Sequence, residues 1–503
     1  MRVGRIGYVL VLASMLLAAC GAATPGAALA ITGPSPKMYL ADCQLTAPGL
    51  SASVKARCGT WAVPEDRAYA AGRKVNLRVA IVAAVSRSPA PDPVFFIAGG
   101  PGEAATESFV VLAGAFDQIR QKREVVLVDQ RGTGQSGALQ CAGDIEADTT
   151  PAETDAEAKA RLTKDLTACL AQMHADPRFY TTSIAVQDLD DVRAALGYDK
   201  INLYGVSYGT RVALTYLHDF PDHVRTVILD GVVPQDEALG LDVARDAQRA
   251  LDLIFDRCAS DPGCQAAFPN VRAEFNTLLT KLEKEPARVT LPHPVTGKEV
   301  EVLLTRSQVA LAVRLLSYSP ETAALLPLLI HTAAQGNDAP LAAQWLMVSE
   351  DLSHSISLGL NLSVVCAEDA PYLQPEALAE ANRDTYLQSG ETNSIQLMCS
   401  VWPRGAIPAD FKQPVQSTAP VLLLSGEADP VTPPANADHV ALSLSQSLPL
   451  VVPGAGHSVI ARGCLPRVAA DFVKSGTVQG LDTRCVQDFR PMPFFVSFTG
   501  FRP

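Results

Sequence analysis

The feature that most constrains the fold of this chain is the segment Gly205–Gly209, which has the form G-x-S-x-G with Ser207 at its centre. The segment 200–204 before it is short and partly apolar, as in a strand. The segment 210–217 after it carries apolar side chains at helical spacing. Strand, tight turn and helix form the context in which this motif raises a serine at the edge of an α/β sheet. The alternative is a glycine-rich turn whose serine only caps the helix.

The first residues have the pattern of an export signal. Positive charge precedes an apolar run over 9–19, and Cys20 follows. The run is too short to span a membrane, and a cysteine at its end resembles a lipobox, in which that cysteine is lipidated. We predict a signal peptide over 1–19, a lipidated tether over 20–36, and an exported protein anchored by lipid at the periplasmic or cell surface. An ordinary cleavage site containing a cysteine is the alternative.

Composition narrows the class of protein further. The chain has 503 residues, 48% of them hydrophobic, so it can bury a large core. Its net charge of −12 argues against nucleic-acid binding, which needs a basic face. Ten cysteines remain of the 11 once Cys20 is set aside, and an even number in an exported chain favours disulfides. No zinc signature, other metal site or cofactor is predicted. Proximity in sequence suggests the pairs Cys43–Cys58, Cys141–Cys169, Cys258–Cys264, Cys366–Cys399 and Cys464–Cys485.

Strand and helix patterns alternate along most of the chain, which predicts an α/β fold with a mostly parallel sheet flanked by helices. The pattern changes to mainly helical segments in the middle, where 299–304 is one of few strand signals. A helix over 183–196 is expected to carry Asp188 on a solvated face, and 144–160 to form a polar surface excursion. The predicted divisions are a first core part over 37–235, a helical cap over 236–415 and a second core part over 416–503.

A serine hydroxyl needs a base, and two strand-end loops late in the chain supply candidates for a catalytic triad. His457 lies in a glycine-rich loop after the last predicted strand, and Asp429 follows the strand before it. The order Ser207, Asp429, His457 is that of the α/β-hydrolases. Asp230, at another strand end, and Glu427 are competing candidates for the acid.

The remaining strand-end loops suggest the groups around the nucleophile. Consecutive glycines in Gly99–Gly102 free backbone N–H groups to face a ligand. The N–H groups of Gly100 and Tyr208 are the expected donors to the oxyanion that forms during acyl transfer. Asp129 and Arg131, at the end of another strand, are expected to pair with each other and brace these loops.

Together these segments resemble one family. The motif G-G-P-G at 99–102, D-Q-R-G-T-G-Q-S at 129–136, G-V-S-Y-G at 205–209 and the late Asp429 and His457 resemble proline iminopeptidases and the related bacterial tripeptidyl aminopeptidases. Those are α/β-hydrolases with a helical cap. The export signal, paired cysteines and long cap look closer to the secreted tripeptidyl branch. One departure is Ala98, which replaces the histidine usual before G-G-P-G.

The resemblance implies hydrolysis of peptides at a free N-terminus, without a cofactor. Such an enzyme has to recognise an ammonium group, which needs carboxylates at the blind end of the substrate pocket. Glu368 and Asp369, which follow a cysteine, and Glu103, just after the glycine loop, are the candidates, with surface acids on a cap as the alternative.

Two other functions remain open at this point. An exported carboxylesterase or lipase would use the same three residues and need no ammonium site. A binding lipoprotein on a hydrolase scaffold would need none of the chemistry, although an intact Ser207, Asp429 and His457 argues against it. Epoxide and halide hydrolases are disfavoured because they place an aspartate where this chain has Ser207.

Overall fold

The computed structural model describes residues 38–141 and 155–500. The predicted signal peptide, the lipidated tether with Cys20 and most of the polar segment 144–160 lie outside the described residues. Within the described residues, no helix is both long and apolar enough to cross a membrane.

Nine strands of the described residues form one sheet, in the spatial order β1-β2-β3-β5-β4-β6-β7-β10-β11. The six strands from β5 to β11 in that order pair in parallel, whereas β1, β2 and β3 pair antiparallel at one side. The bounds are β1 Ala41–Thr46, β2 Ser53–Pro64, β3 Lys74–Val82, β4 Val94–Ile97, β5 Val125–Val128, β6 Ile201–Val206, β7 Val224–Asp230, β10 Val421–Gly426 and β11 Ser447–Val452. The predicted α/β fold with a mostly parallel sheet is therefore confirmed.

The parallel strands are continuous apolar runs because both faces of the sheet are covered by helices. On one face, α3, α4 and α15 share a buried cluster with the strands, and on the other face α1 and α16 do so. The helices outside the predicted cap are α1 Ala105–Leu112, α2 Asp155–Gln172, α3 Thr182–Leu196, α4 Tyr208–Asp219, α15 Pro434–Ala441 and α16 Leu465–Ser475. All loops at the carboxyl ends of the parallel strands consequently meet at one edge, where α/β proteins bind their ligands.

Residues 236–415, the predicted cap, contain most of the remaining helices and a hairpin. The hairpin pairs β8 Ala287–Pro292 with β9 Glu299–Leu304, and β9 coincides with the strand signal at 299–304. The cap has a buried apolar cluster of its own, formed by the hairpin with α5, α7, α8, α10 and α11. Its helices are α5 Val243–Ser260, α6 Pro262–Ala267, α7 Val271–Lys284, α8 Arg306–Leu316, α9 Pro320–Ala323, α10 Leu326–Ala334, α11 Ala339–Ser355, α12 Leu358–Glu368, α13 Pro375–Ala381 and α14 Gly390–Val401.

All five predicted disulfides are formed. Cys43–Cys58 ties β1 to β2, and Cys366–Cys399 ties α12 to α14 within the cap. Cys141–Cys169, Cys258–Cys264 and Cys464–Cys485 are the other three. Each closes a loop of at most 33 residues, so the bridges reinforce neighbouring elements and leave distant parts of the chain to be joined by packing.

Candidate active site

Ser207 lies in the sharp turn between β6 and α4, as the motif predicts. Its backbone has φ of 55° and ψ of −126°, a conformation that an L-residue adopts only under strain. The flanking glycines are required by space: a β-carbon on Gly205 would stand 2.3 Å from the carbonyl oxygen of Gly209, and one on Gly209 would stand 2.5 Å from that of Ala98. Strand and helix therefore approach closely enough to lift the serine to the sheet edge, where it is partly exposed.

His457 and Asp429 form a hydrogen-bonded pair at the same edge. The Nδ1 atom of His457 lies 2.8 Å from Oδ2 of Asp429, which is fully buried. Oδ1 of Asp429 accepts hydrogen bonds from the backbone N–H groups of Val431 and Thr432, each at 2.9 Å. Burial alone would raise the pKa of Asp429, but the charge of His457 and these hydrogen bonds lower it below its ordinary value. Asp429 is therefore ionised and aimed at the imidazole.

Thr432 contacts both members of this pair, and no sequence motif pointed to it. Its hydroxyl donates to Oδ2 of Asp429 at 2.8 Å and lies 3.0 Å from Nδ1 of His457. The side chain is 1% exposed, so no water competes for these contacts. The available signal was its position three residues after the acid, where a short hydroxyl side chain can bond back to a carboxylate in a turn.

Asp230, the competing acid, has other partners. It is fully buried and accepts hydrogen bonds from the hydroxyls of Tyr204 and Ser458 and from the backbone N–H groups of Val459 and Ile460. Its own carbonyl oxygen accepts the N–H of Ser207 at 2.9 Å. A β-carbon on the next residue, Gly231, would stand 2.9 Å from Cε1 of His457. The turn at Asp230 and Gly231 thus contacts both the serine and the histidine segments.

His457 is enclosed by groups that favour its charged form. Its backbone N–H donates to the carbonyl of Tyr318 at 2.7 Å, and the Tyr318 ring packs edge-on against the imidazole at 5.2 Å. Burial alone would lower the pKa of His457, but the negative charge of Asp429, with further contributions from Asp230 and Glu103, raises it above its ordinary value. An imidazolium formed during a reaction would be stabilised in this setting.

The predicted cap holds the acid and histidine loops directly. Arg249 of α5 donates to the carbonyl oxygens of Glu427 and Asp429, at 2.8 and 2.7 Å. Glu427, the weaker competitor for the acid, accepts the N–H of Gly454 at 2.7 Å and so joins the two loops. Together with the contact of Tyr318, these bonds make the cap part of the framework that positions the pair. Sequence patterns gave no sign of such contacts across a long separation.

The glycine loop after β4 lies beside Ser207, the predicted nucleophile. Gly100 has φ of +102° and Gly102 has φ of +119°, values that exclude most other residues, and the Gly100–Pro101 peptide bond is cis. A β-carbon on Gly99 would stand 3.2 Å from Cβ of Ser207. Tyr208 is the first residue of α4, so its backbone N–H has no acceptor within the helix. The loop and the helix start are thus placed around Ser207, with Gly100 and Tyr208 as the predicted donors.

Among the candidate acids, Glu103 lies against the glycine loop beside Ser207. The same β-carbon position on Gly99 is 3.4 Å from Oε2 of Glu103, which accepts the hydroxyl of Ser108 at 3.2 Å. Burial raises the pKa of Glu103, against the opposing effects of Ser108, the Gly99 backbone N–H and the charge of His457.

Glu368 and Asp369 lie deeper, at the end of α12, and both are fully buried. Asp369 accepts two hydrogen bonds from Arg211, at 2.9 and 3.1 Å, and one from Lys412 at 3.0 Å. Glu368 accepts the N–H and the hydroxyl of Thr182, at 2.7 and 2.9 Å. A substrate ammonium group would have to displace one of these partners.

Burial raises the pKa of Glu368 to about 7, with Asp369 adding to the increase and Arg211 opposing it. Its partner Thr182 also lies 2.7 Å from the hydroxyl of Tyr208. The side chain of Thr182 therefore links Glu368 to Tyr208, the first residue of α4.

The predicted pairing of Asp129 with Arg131 is wrong, and so is the solvated setting of Asp188. Arg131 is fully buried and donates to both carboxylate oxygens of Asp188, at 2.6 and 2.7 Å. Asp129 instead accepts the N–H and the hydroxyl of Thr106 at the start of α1, at 2.9 and 3.1 Å. Both residues brace strand-end loops, but through helices on opposite faces of the sheet, because α3 brings Asp188 beneath the loop.

Comparison with known proteins agrees with this architecture. Residues 92–287 match the family described as alpha/beta hydrolase fold, and residues 384–485 match the family described as TAP-like protein. The serine protease Hip1 of Mycobacterium tuberculosis is 26% identical over 478 residues, which cover 88% of this chain and 90% of that protein.

Two further relatives carry different names. The tripeptidyl aminopeptidase of Streptomyces coelicolor is 31% identical over 189 residues, 35% of each chain. A protein named Carboxylesterase B, also of Mycobacterium tuberculosis, is 26% identical over 496 residues, 92% of each chain. The chain is therefore an α/β hydrolase with a TAP-like C-terminal region, a relative of the tripeptidyl aminopeptidases and of serine protease Hip1, and an enzyme of the serine hydrolase class.

Proposed function

We propose that this protein is a serine exopeptidase that cleaves peptides near a free N-terminus through Ser207, His457 and Asp429. The observation that carries the proposal is the 2.8 Å contact between Nδ1 of His457 and the buried carboxylate of Asp429, at the sheet edge that also presents Ser207. The similarity to serine protease Hip1, which covers 88% of this chain, supports the choice of peptides as substrates.

The reaction follows from the placement of these groups. His457 takes the proton of Ser207 as its oxygen attacks the substrate carbonyl, and Asp429 stabilises the imidazolium that results. The N–H groups of Gly100 and Tyr208 donate to the oxyanion of the tetrahedral intermediate. His457 then gives its proton to the leaving amine, and a water molecule releases the acyl group from Ser207 by the same steps in reverse order.

Recognition of a free N-terminus requires a negative charge beside the acyl site. Glu103, Glu368 and Asp369 remain the proposed acids for this role. Glu103 lies against the glycine loop beside Ser207, whereas the other two are fully buried at the end of α12.

Labelling with a fluorophosphonate tests the nucleophile. The folded wild-type protein is expected to be labelled and Ser207→Ala is not, with turnover lower by several orders of magnitude in Ser207→Ala and in His457→Ala. Asp429→Asn is expected to lower turnover by about 10⁴-fold, because the imidazole loses its orienting carboxylate. Absence of labelling in the wild type would indicate a binding protein, and an equal loss in Asp230→Asn alone would move the acid to Asp230.

A carboxylesterase is the second candidate, and the full-length similarity to Carboxylesterase B favours it. A panel of aminoacyl, tripeptidyl and simple acyl substrates with a fluorogenic leaving group separates the two functions. Hydrolysis of acyl esters without hydrolysis of any amide bearing a free amine would contradict the peptidase proposal.

We also propose that the protein is exported and anchored by a lipid on Cys20. The support is the pattern of charge, apolar run and cysteine at the N-terminus. Cys20→Ala is expected to move the protein from the membrane fraction to the soluble fraction of the producing bacterium, and mass spectrometry of the mature N-terminus would show whether Cys20 is its first residue. An unmodified Cys20 in the mature protein contradicts the anchor.

A further inference from the structure

We infer that the Glu103 carboxylate binds the α-ammonium group of a substrate whose acyl part is one amino acid, so that the protein removes a single residue at a time. This inference rests on the exopeptidase function proposed above. It adds the number of residues released in each cleavage, which neither the names of the relatives nor the sequence motifs define.

The first support is the position of Glu103. Oε2 of Glu103 and Cβ of Ser207 lie 3.4 and 3.2 Å from one point, the place where a β-carbon on Gly99 would stand. The distance between Oε2 of Glu103 and Cβ of Ser207 is therefore at most the sum of these two distances. Glu103 follows the loop that is expected to bind the oxyanion, and it is partly exposed, as Ser207 and His457 are.

The second support is that, within the part of the chain that the structure describes, Glu103 has no arginine or lysine partner, although the charge of His457 acts on it. In the described residues, no arginine or lysine forms an ion pair with it, whereas Asp369 has both Arg211 and Lys412. Its hydrogen-bond partners are neutral: the hydroxyl of Ser108 and the backbone N–H of Gly99. A substrate ammonium group would add a direct charge partner to this carboxylate, which is only partly exposed.

The third support is a distance argument. In an aminoacyl substrate, the ammonium nitrogen is bonded to the α-carbon next to the carbonyl carbon that Ser207 attacks. An extended residue spans about 3.3–3.6 Å, so the ammonium group of an extended tripeptidyl substrate lies about 7 Å further away. The Glu103 carboxylate lies beside Ser207, so we assign it to the ammonium group of an aminoacyl substrate. The ammonium group of an extended tripeptidyl substrate would lie too far from it.

A rival role for the same side chain has to be separated from this one. A neutral Glu103 could donate a hydrogen bond to the oxyanion, in the way that a protonated carboxylic acid can. Such a role would assist every acyl substrate equally, with or without an amine. Glu103→Gln keeps the shape and a hydrogen-bond donor but removes the negative charge, so the two roles give opposite results in that variant.

The experiment compares three substrates that share one coumarin-amide leaving group: alanyl, N-acetyl-alanyl and trialanyl. We expect the wild type to have its highest kcat/KM for the alanyl amide. In Glu103→Gln, kcat/KM for the alanyl amide is expected to fall by about 100-fold, the loss typical of removing one partner of a desolvated charge pair. The preference for the free amine over the N-acetyl amide is expected to disappear with it.

Glu107→Gln is the matched control, since it removes a partly exposed carboxylate one helical turn further along α1. It is expected to keep the preference for the free amine. Fluorophosphonate labelling of Glu103→Gln at a measurable rate confirms that the variant is folded, and Glu103→Asp, which keeps the charge, should retain part of the preference.

Four outcomes overturn the inference. A wild type that prefers the trialanyl amide contradicts single-residue release but leaves the exopeptidase function standing. Equal losses for all three amides in Glu103→Gln, or an unchanged profile, contradict ammonium binding by Glu103. Hydrolysis of acyl esters with no hydrolysis of any amide removes the exopeptidase function itself, and the inference with it.

Discussion

Replacing Thr432 by valine tests how the acid and base are held together. Valine has nearly the same shape as threonine, so the change removes the hydroxyl while the buried space stays filled. The hydroxyl donates to Oδ2 of Asp429 at 2.8 Å and lies 3.0 Å from Nδ1 of His457. One hydrogen bond to an ionised group contributes about 1.5–3 kcal/mol. If this contribution acts fully on the reacting arrangement, kcat falls by a factor between about 13 and about 160.

The assay is steady-state hydrolysis of the best amide substrate, together with the rate of fluorophosphonate labelling. Both are expected to fall by the same factor in Thr432→Val, because both depend on deprotonation of Ser207 by His457. KM should change little, since Thr432 is buried and touches the acid and base and not the substrate. Thr432→Ser keeps the hydroxyl and is the control. A fully active Thr432→Val, or an equal loss in Thr432→Ser, would refute the reasoning.

The other predictions concern the cap, the pH profile and the disulfides. Arg249→Met is expected to lower kcat by about 10-fold, because two charge-assisted hydrogen bonds to the acid loop are lost. Arg245→Met, an exposed change on the same helix, is the control and should have no effect. Equal kcat values for the two variants would contradict the role of the cap contact. The pKa of His457 is raised, and a charged imidazole cannot accept a proton from Ser207. We therefore expect kcat/KM to fall as the pH drops through a value above the ordinary histidine pKa. A pH–rate profile whose acidic limb lies below the ordinary histidine pKa would contradict this prediction. Replacing both cysteines of Cys366–Cys399 by serine should cost about 4 kcal/mol of unfolding free energy, against about 2 kcal/mol for Cys258–Cys264, because the loop closed is longer; denaturant titration measures both, and the reverse order would contradict the loop-length argument.

Local sequence patterns were sufficient to predict the fold and the loops around the candidate site. The turn at Ser207 has space only for glycine on either side, and such a restriction leaves a readable motif. The strands of the sheet are buried on both faces, so they stand out as short apolar runs. His457 and Asp429 were identifiable because each directly follows one of those runs. The disulfides were predicted correctly because every bridge joins cysteines that are close in sequence.

What the sequence could not supply depends on contacts between distant segments. Arg131 pairs with Asp188 because helix α3 crosses beneath its loop, and no spacing along the chain encodes that crossing. Helix α12 is buried nearly all round, so it lacks the alternation of apolar and polar residues that marks a surface helix. Edge strand β1 is largely exposed and has no apolar run to mark it.

The hydrogen bonds that join the cap to the acid and histidine loops limit how this enzyme could be redesigned. Cap insertions are attractive units for exchange between hydrolases, since they line the substrate channel and leave the sheet untouched. Here a foreign cap would also remove the guanidinium of Arg249 and the carbonyl of Tyr318 that hold those loops. A chimera would therefore need these two contacts rebuilt, and random libraries aimed at new specificity should keep both positions fixed.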